Sequence, residues 1–175
     1  MINRKAPEGE YIASRRDLVL LPGVLSAGRR LRNAGFLILV ATNQRGVARH
    51  RVDAVELDNI HRDLLQLFCT AGAPIEEIYV CPHEGACECR KPAPGMLLRA
   101  AKEHAIDLSA SWVVGDSSSD IAAGKQAGCR TIRIQRCPAE QITGVQPDLQ
   151  AKDLPEAADL ILEAADSITL GKSRT

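Results

Sequence analysis

Four short apolar runs, each followed by a stretch long enough for a helix, restrict the folds open to this chain more than any other feature. They are Phe36–Thr42, Glu77–Val80, Ser111–Val114 and Thr131–Ile134. The runs are continuous rather than alternating, the pattern of strands buried on both faces. Helices are predicted over Gly23–Asn33, Asp53–Thr70, Pro94–His104 and Ser118–Ala127, with a last one from Leu154 to about Ile168 behind Asp153 as N-cap. Gly35, Gly72 and Gly128 stand where helices should stop. Strand–helix alternation with buried strands is the mark of an α/β fold, a doubly wound parallel sheet with helices on both faces. No repeat or linker divides the 175 residues. Residues 1–170 are therefore expected to form one domain, and 171–175 a frayed tail.

Charge narrows the function. Lys+Arg and Asp+Glu both number 22, and aromatics are 3%, which argues against nucleic acid as a partner. No apolar run is long enough for a membrane span, and residues 1–9 have no signal-peptide core. The expectation is a cytoplasmic monomer whose partner is a small molecule, not a membrane.

Of the six cysteines, Cys81, Cys87 and Cys89 fall within nine residues and share that segment with His83. Without a secretion signal, such a cluster favours metal over disulfides. Three thiolates and one imidazole fill a tetrahedron, the donor set of a closed structural zinc site. Cys69, Cys129 and Cys137 are scattered, and read as ordinary packed thiols.

Doubly wound sheets bind ligands beyond the carboxyl ends of their strands. There the sequence places Thr42-Asn43-Gln44-Arg45-Gly46, then the Cys/His segment running into Arg90-Lys91-Pro92, then Gly115-Asp116-Ser117-Ser118-Ser119-Asp120. Asp116 and Asp120 are spaced to hold Mg²⁺ together with a phosphate; equally, they suit a helix N-cap and its first-turn partner. Thr42, Asn43 and Lys91 suit a phosphate oxygen, or else a cap and a solvated lysine.

Together, Leu21–Leu25, Val40–Gly46, Cys81–Met96 and Val114–Asp120 resemble the haloacid dehalogenase superfamily of phosphotransferases. Within it they are most similar to the phosphatases of heptose 1,7-bisphosphate, with histidinol-phosphatases as near relatives. The resemblance runs from about Ile2 to Ile134. It implies a Mg²⁺- and Zn²⁺-containing hydrolase that removes the 7-phosphate of a sugar bisphosphate. In that reading Thr42 and Lys91 stabilise the phosphoryl group, Asp116 binds Mg²⁺ and Asp120 supports it. Asn43, Gln44, Arg45 and Arg90 contact substrate with Thr42 and Lys91, while Cys81, His83, Cys87 and Cys89 hold zinc. Arg45 stands where such enzymes often have Ser, and Ser117 where many have Lys.

One part of the family pattern is missing. Such enzymes end their first strand in Asp-x-Asp-Gly, the nucleophile and the general acid, whereas this sequence contains no Asp-x-Asp. The resemblance implies an N-terminally shortened phosphatase, inactive and poorly soluble as it stands. The strand it lacks would lie between Phe36–Thr42 and Ser111–Val114. A zinc-stapled remnant that binds phosphate or a partner without catalysis is the competing reading.

Overall fold

Each expected strand forms, with edges moved by local hydrogen bonding. In the computed structural model, which describes residues 1–7, 9–135 and 144–172 with side chains to residue 166, the strands are β1 (Leu39–Asn43), β2 (Glu77–Cys81), β3 (Trp112–Gly115), β4 (Arg130–Ile134) and β5 (Leu149–Ala151). The helices are α1 (Val24–Asn33), α2 (Arg45–Ala48), α3 (Ala54–Thr70), α4 (Gly95–Glu103), α5 (Ser118–Gln126) and α6 (Leu154–Lys172). β1 begins three residues after the start of its apolar run because Phe36 still serves the end of α1: its N–H donates to the Leu31 carbonyl (3.0 Å), past Gly35 at φ +88°. The short β5 and the single-turn α2 carry no periodicity and were not expected. Asp153 caps α6 through the Glu156 N–H (2.9 Å). Cys137 and residues 173–175 of the expected tail lie outside the described residues.

All pairings between named strands are parallel, as the continuous apolar runs require. Side chains alternate between two helical layers. Val40 packs with the cluster of Val24, Leu64 and Phe68 from α1 and α3, while Leu39 and Ala41 pack with Met96 and Ala100 of α4. Trp112 and Val114 join Ile132 and Ile161 under α6. On the opposite face α5 lies close to the sheet at Gly124, where a Cβ would stand 2.7 Å from Thr131 Cγ2 and 2.9 Å from Val113 Cβ.

The sheet is split. β1 ladders with β2, and β3 with β4 and then β5, but no ladder joins β1 to β3 among the described residues. Between the halves lies a cavity of about 730 Å³, bordered by Leu39–Thr42 on one side and Trp112–Gly115 on the other. That is where the family resemblance leaves room for a further strand. Among the described residues no helix is long and apolar enough to cross a membrane.

Candidate active site

The carboxyl ends of β1, β2 and β3 meet at one mouth of this cavity, and each delivers its polar residues there. After β3 the chain turns at once into α5. Ser117 is the N-cap, its hydroxyl accepting from the Asp120 N–H (3.2 Å), and Asp120 Oδ2 accepts from the Ser117 N–H (3.0 Å) and hydroxyl (2.7 Å). This is a complete capping box. The other oxygen, Oδ1, pairs with Lys91 Nζ at 2.6 Å. Lys91 Nζ also donates to the Ala41 carbonyl (2.6 Å), so one ammonium bridges the β1 end and the start of α5.

Lys91 is held by a clamp. The Asn43 side chain donates to the Lys91 carbonyl (3.0 Å) and accepts from the Lys91 N–H (3.1 Å). Both functions of its amide are engaged by the backbone of the loop that carries Lys91, whose bond to Pro92 is cis. Beside it, the Thr42 hydroxyl accepts from Gln44 Nε2 (3.2 Å). Arg45 opens α2 and is exposed.

Asp116 projects from the turn after β3, 3.0 Å from Lys5 Nζ and 3.4 Å from the chain's amino group. Burial pushes its carboxyl up, but the two ammonium groups outweigh this and hold it below the ordinary carboxylate range. Its side chain is 18% exposed, so it is an ionised carboxylate, open to the cavity mouth and already attracting cations. A carboxylate is a ligand type that a hard divalent metal takes, but here two ammonium groups occupy it. Lys5 carried no signal in the sequence, since its partner lies 111 positions away.

Cys81, His83, Cys87 and Cys89 converge as their spacing predicts, with ligand atoms all within 4.8 Å of one another. Cys81 and Cys87 sulfurs are 3.5 Å apart, Cys87 and Cys89 3.3 Å, and His83 Nδ1 is 3.3 Å from Cys89. These separations far exceed an S–S bond of ~2.05 Å. They approach the ~3.8 Å edge of a tetrahedron with Zn–S bonds of ~2.3 Å. Burial raises the Cys87 thiol, but hydrogen bonds from Cys89 and Cys81 more than reverse it and bring the group down to about 6. Burial and the neighbouring sulfurs push Cys89 up. Soft donors sharing protons in this way fit a zinc ion. Arg90 donates to the His83 carbonyl (2.9 Å), and Arg49 of the segment after α2 pairs with Glu84 (2.6 Å). The cluster thus fixes both the loop bearing Arg90 and Lys91 and the segment following β1.

Comparison with known proteins follows the same lines. The HAD-hydrolase-like family profile matches residues 88–157. A D-glycero-beta-D-manno-heptose-1,7-bisphosphate 7-phosphatase of Rhodopseudomonas palustris is 40% identical over 134 residues, 71% of this chain and 74% of that protein. A D-glycero-D-manno-heptose-1,7-bisphosphate 7-phosphatase of Thermosynechococcus vestitus is 36% identical over 170 residues, covering 86% and 87%. Among solved structures, a D,D-heptose 1,7-bisphosphate phosphatase from B. bronchiseptica, complexed with magnesium and phosphate, superposes with a TM-score of 0.85 at 32% identity, covering 94% of each chain.

Proposed function

The chain belongs to the haloacid dehalogenase superfamily, among its heptose-bisphosphate phosphatases, and from that premise we propose that it is built to hydrolyse the 7-phosphate of D-glycero-D-manno-heptose 1,7-bisphosphate. The convergence of Thr42, Lys91 and Asp116 at one cavity mouth carries this reading. Phosphoryl transfer depends mainly on positioning and on neutralising charge spread over the phosphate oxygens. The Thr42 hydroxyl, while accepting from Gln44, keeps its own O–H to donate to one such oxygen. Lys91, clamped by Asn43 and anchored on Ala41, offers a fixed ammonium. Asp116 would hold Mg²⁺, which when bound supplies further charge neutralisation. Asp120 acts behind Lys91, with both oxygens engaged by Ser117 and Lys91. Arg45 and Arg90 contact the rest of the substrate. A zinc ion on Cys81, His83, Cys87 and Cys89 has no open position, and so serves the loop rather than the reaction.

The 175 residues hold a phosphate ester but, lacking Asp-x-Asp, supply no carboxylate pair for an aspartyl-phosphate. The reading includes a cytoplasmic monomer acting on a small molecule. The test compares this chain with one extended at its front by an apolar strand ending in Asp-x-Asp-Gly. Phosphate release from the heptose bisphosphate, with histidinol phosphate alongside, is followed at varied Mg²⁺. Metal-dependent turnover of the heptose substrate by the extended chain alone is expected, and Asp116→Asn should lower it by orders of magnitude. Equal turnover by both chains would overturn the assignment of the missing nucleophile. An inactive extended chain that still binds zinc would favour the non-catalytic remnant.

A further inference from the structure

Two loops are tied together beside Thr42 and Lys91, and the ties direct two arginines to one place. The segment after β1 is anchored to the loop after β2 by the Gln44 N–H, which donates to the Cys81 carbonyl (2.7 Å). One helical turn further on, Arg49 pairs with Glu84 of the same loop (2.6 Å). Between these anchors stand Arg45 on one side and His83 on the other. The Arg49 N–H donates to the Arg45 carbonyl (3.2 Å), so the two residues close one turn and share a face of it. Arg49 reaches Glu84 from that face, which puts Arg45 on the side turned toward the loop. There Arg90 brings its guanidinium to the His83 carbonyl (2.9 Å).

The neighbouring cations are neutralised. Lys91 pairs with Asp120, Lys5 with Asp116 and Arg49 with Glu84, whereas no carboxylate pairs with Arg45 or Arg90 among the described residues. Two guanidinium groups turned to one region without a carboxylate repel one another. A dianion between them removes the repulsion and fills their planar donor forks. Arg45 is exposed and Arg90 half-buried, so a ligand can reach both.

We propose that Arg45 and Arg90 form a fork for a second phosphate of the substrate, and that Arg45 thereby selects a sugar bisphosphate over a monophosphate and against a cationic phosphate ester. This assignment rests on the phosphatase reading and deepens it: Thr42 and Lys91 take the phosphate that is cleaved, and the fork takes the one that is retained. Arg90 directly precedes Lys91, and Arg45 follows Thr42 by three positions, so the fork borders the reacting site without belonging to it. A heptose 1,7-bisphosphate presents its second dianion at the other end of the sugar. Histidinol phosphate carries an ammonium and an imidazole instead, and two unpaired guanidinium groups repel it. The sign of charge away from the reacting phosphate thus separates the two substrates.

The test reads binding by calorimetry to the zinc-loaded 175-residue chain in Mg²⁺, so that the absent carboxylate pair does not enter. The ligands are heptose 1,7-bisphosphate, heptose 7-phosphate and histidinol phosphate. The unaltered chain should bind the bisphosphate at least about tenfold more tightly than the 7-phosphate. Arg45→Ser should weaken the bisphosphate by about tenfold, ~1.4 kcal/mol, and the 7-phosphate by less than about threefold. Arg45→Glu should weaken the bisphosphate by about a hundredfold and strengthen histidinol phosphate, a gain that damage to the fold cannot produce. Zinc content and circular dichroism of each variant accompany the titrations. Equal losses on bisphosphate and 7-phosphate in Arg45→Ser would overturn the proposal, as would Arg45→Glu without a gain for histidinol phosphate. An unaltered chain that binds the 7-phosphate as tightly as the bisphosphate overturns the fork and leaves the phosphatase reading standing. Failure of that reading looks different: the unaltered chain then binds none of the three esters, and the fork falls with it.

Discussion

Removing the Asp120 carboxylate should destabilise the fold by more than its capping role accounts for, because the same group neutralises Lys91. Lys91 and Asp120 side chains are 14% and 12% exposed, and the contact is 2.6 Å. Breaking a buried pair from one side leaves an uncompensated charge, at ~3–5 kcal/mol. The slight exposure of both groups puts this pair at the lower end, ~3 kcal/mol, and loss of the capping box adds ~1 kcal/mol. Asp120→Ala should therefore lose ~4 kcal/mol in urea unfolding followed by circular dichroism, a large part of the ~5–15 kcal/mol of an ordinary domain. Asp120→Asn keeps an acceptor for Ser117 and should lose ~2–3 kcal/mol, with a transition midpoint above that of the alanine variant. Lys91→Met removes the ammonium while Asp120 retains its Ser117 bonds, for ~1–2 kcal/mol. The double variant Asp120→Asn/Lys91→Met no longer strands a charge, so its loss should fall short of the sum by ~2 kcal/mol. Additivity within ~0.5 kcal/mol would refute the argument that these two groups depend on one another.

Other outcomes follow from single contacts. Protein purified without chelator should carry one equivalent of zinc by elemental analysis, and Cys87→Ser/Cys89→Ser should lose it; full retention would exclude this cluster. Gly95→Ala would place a Cβ 2.2 Å from the Glu88 carbonyl oxygen, pushing α4 off the zinc loop. A loss of ~2 kcal/mol and faster zinc release to a chelator are expected, and a wild-type release rate would show that the loop and α4 are uncoupled. Asp148 has its carboxyl held below the ordinary 3.8: burial raises it, but hydrogen bonds from Lys125 and Thr131 lower it further. Its contribution is thus fully present above pH 3.8 and disappears as pH falls through the depressed value. Acid unfolding should be steeper in the wild type than in Asp148→Asn over that window, and identical curves would remove Asp148 from the account.

What the sequence determined by itself is local. The zinc quartet was legible because four ligands within nine residues need only one turn of chain to converge. The Ser117–Asp120 capping box was legible for the same reason, and the strands because continuous apolar runs have no solvent-facing side to satisfy. Tertiary structure decided what lies across the sheet. Asn43 reads as a substrate contact at a strand end, yet its amide is occupied at both functions by the Lys91 backbone 48 positions on. Asp120 reads as a second metal carboxylate, yet its free oxygen belongs to Lys91. Lys5 gives no sign of serving Asp116. The β1–β3 opening was expected only from the family resemblance, since a run of apolar residues says that a strand is buried but not which neighbour pairs with its edge. Side-chain type and spacing constrain partners within a turn or two of chain. Beyond that range, which polar groups meet is settled by the register of β1 and β2 and by the helices that bring their loops to one end of the sheet.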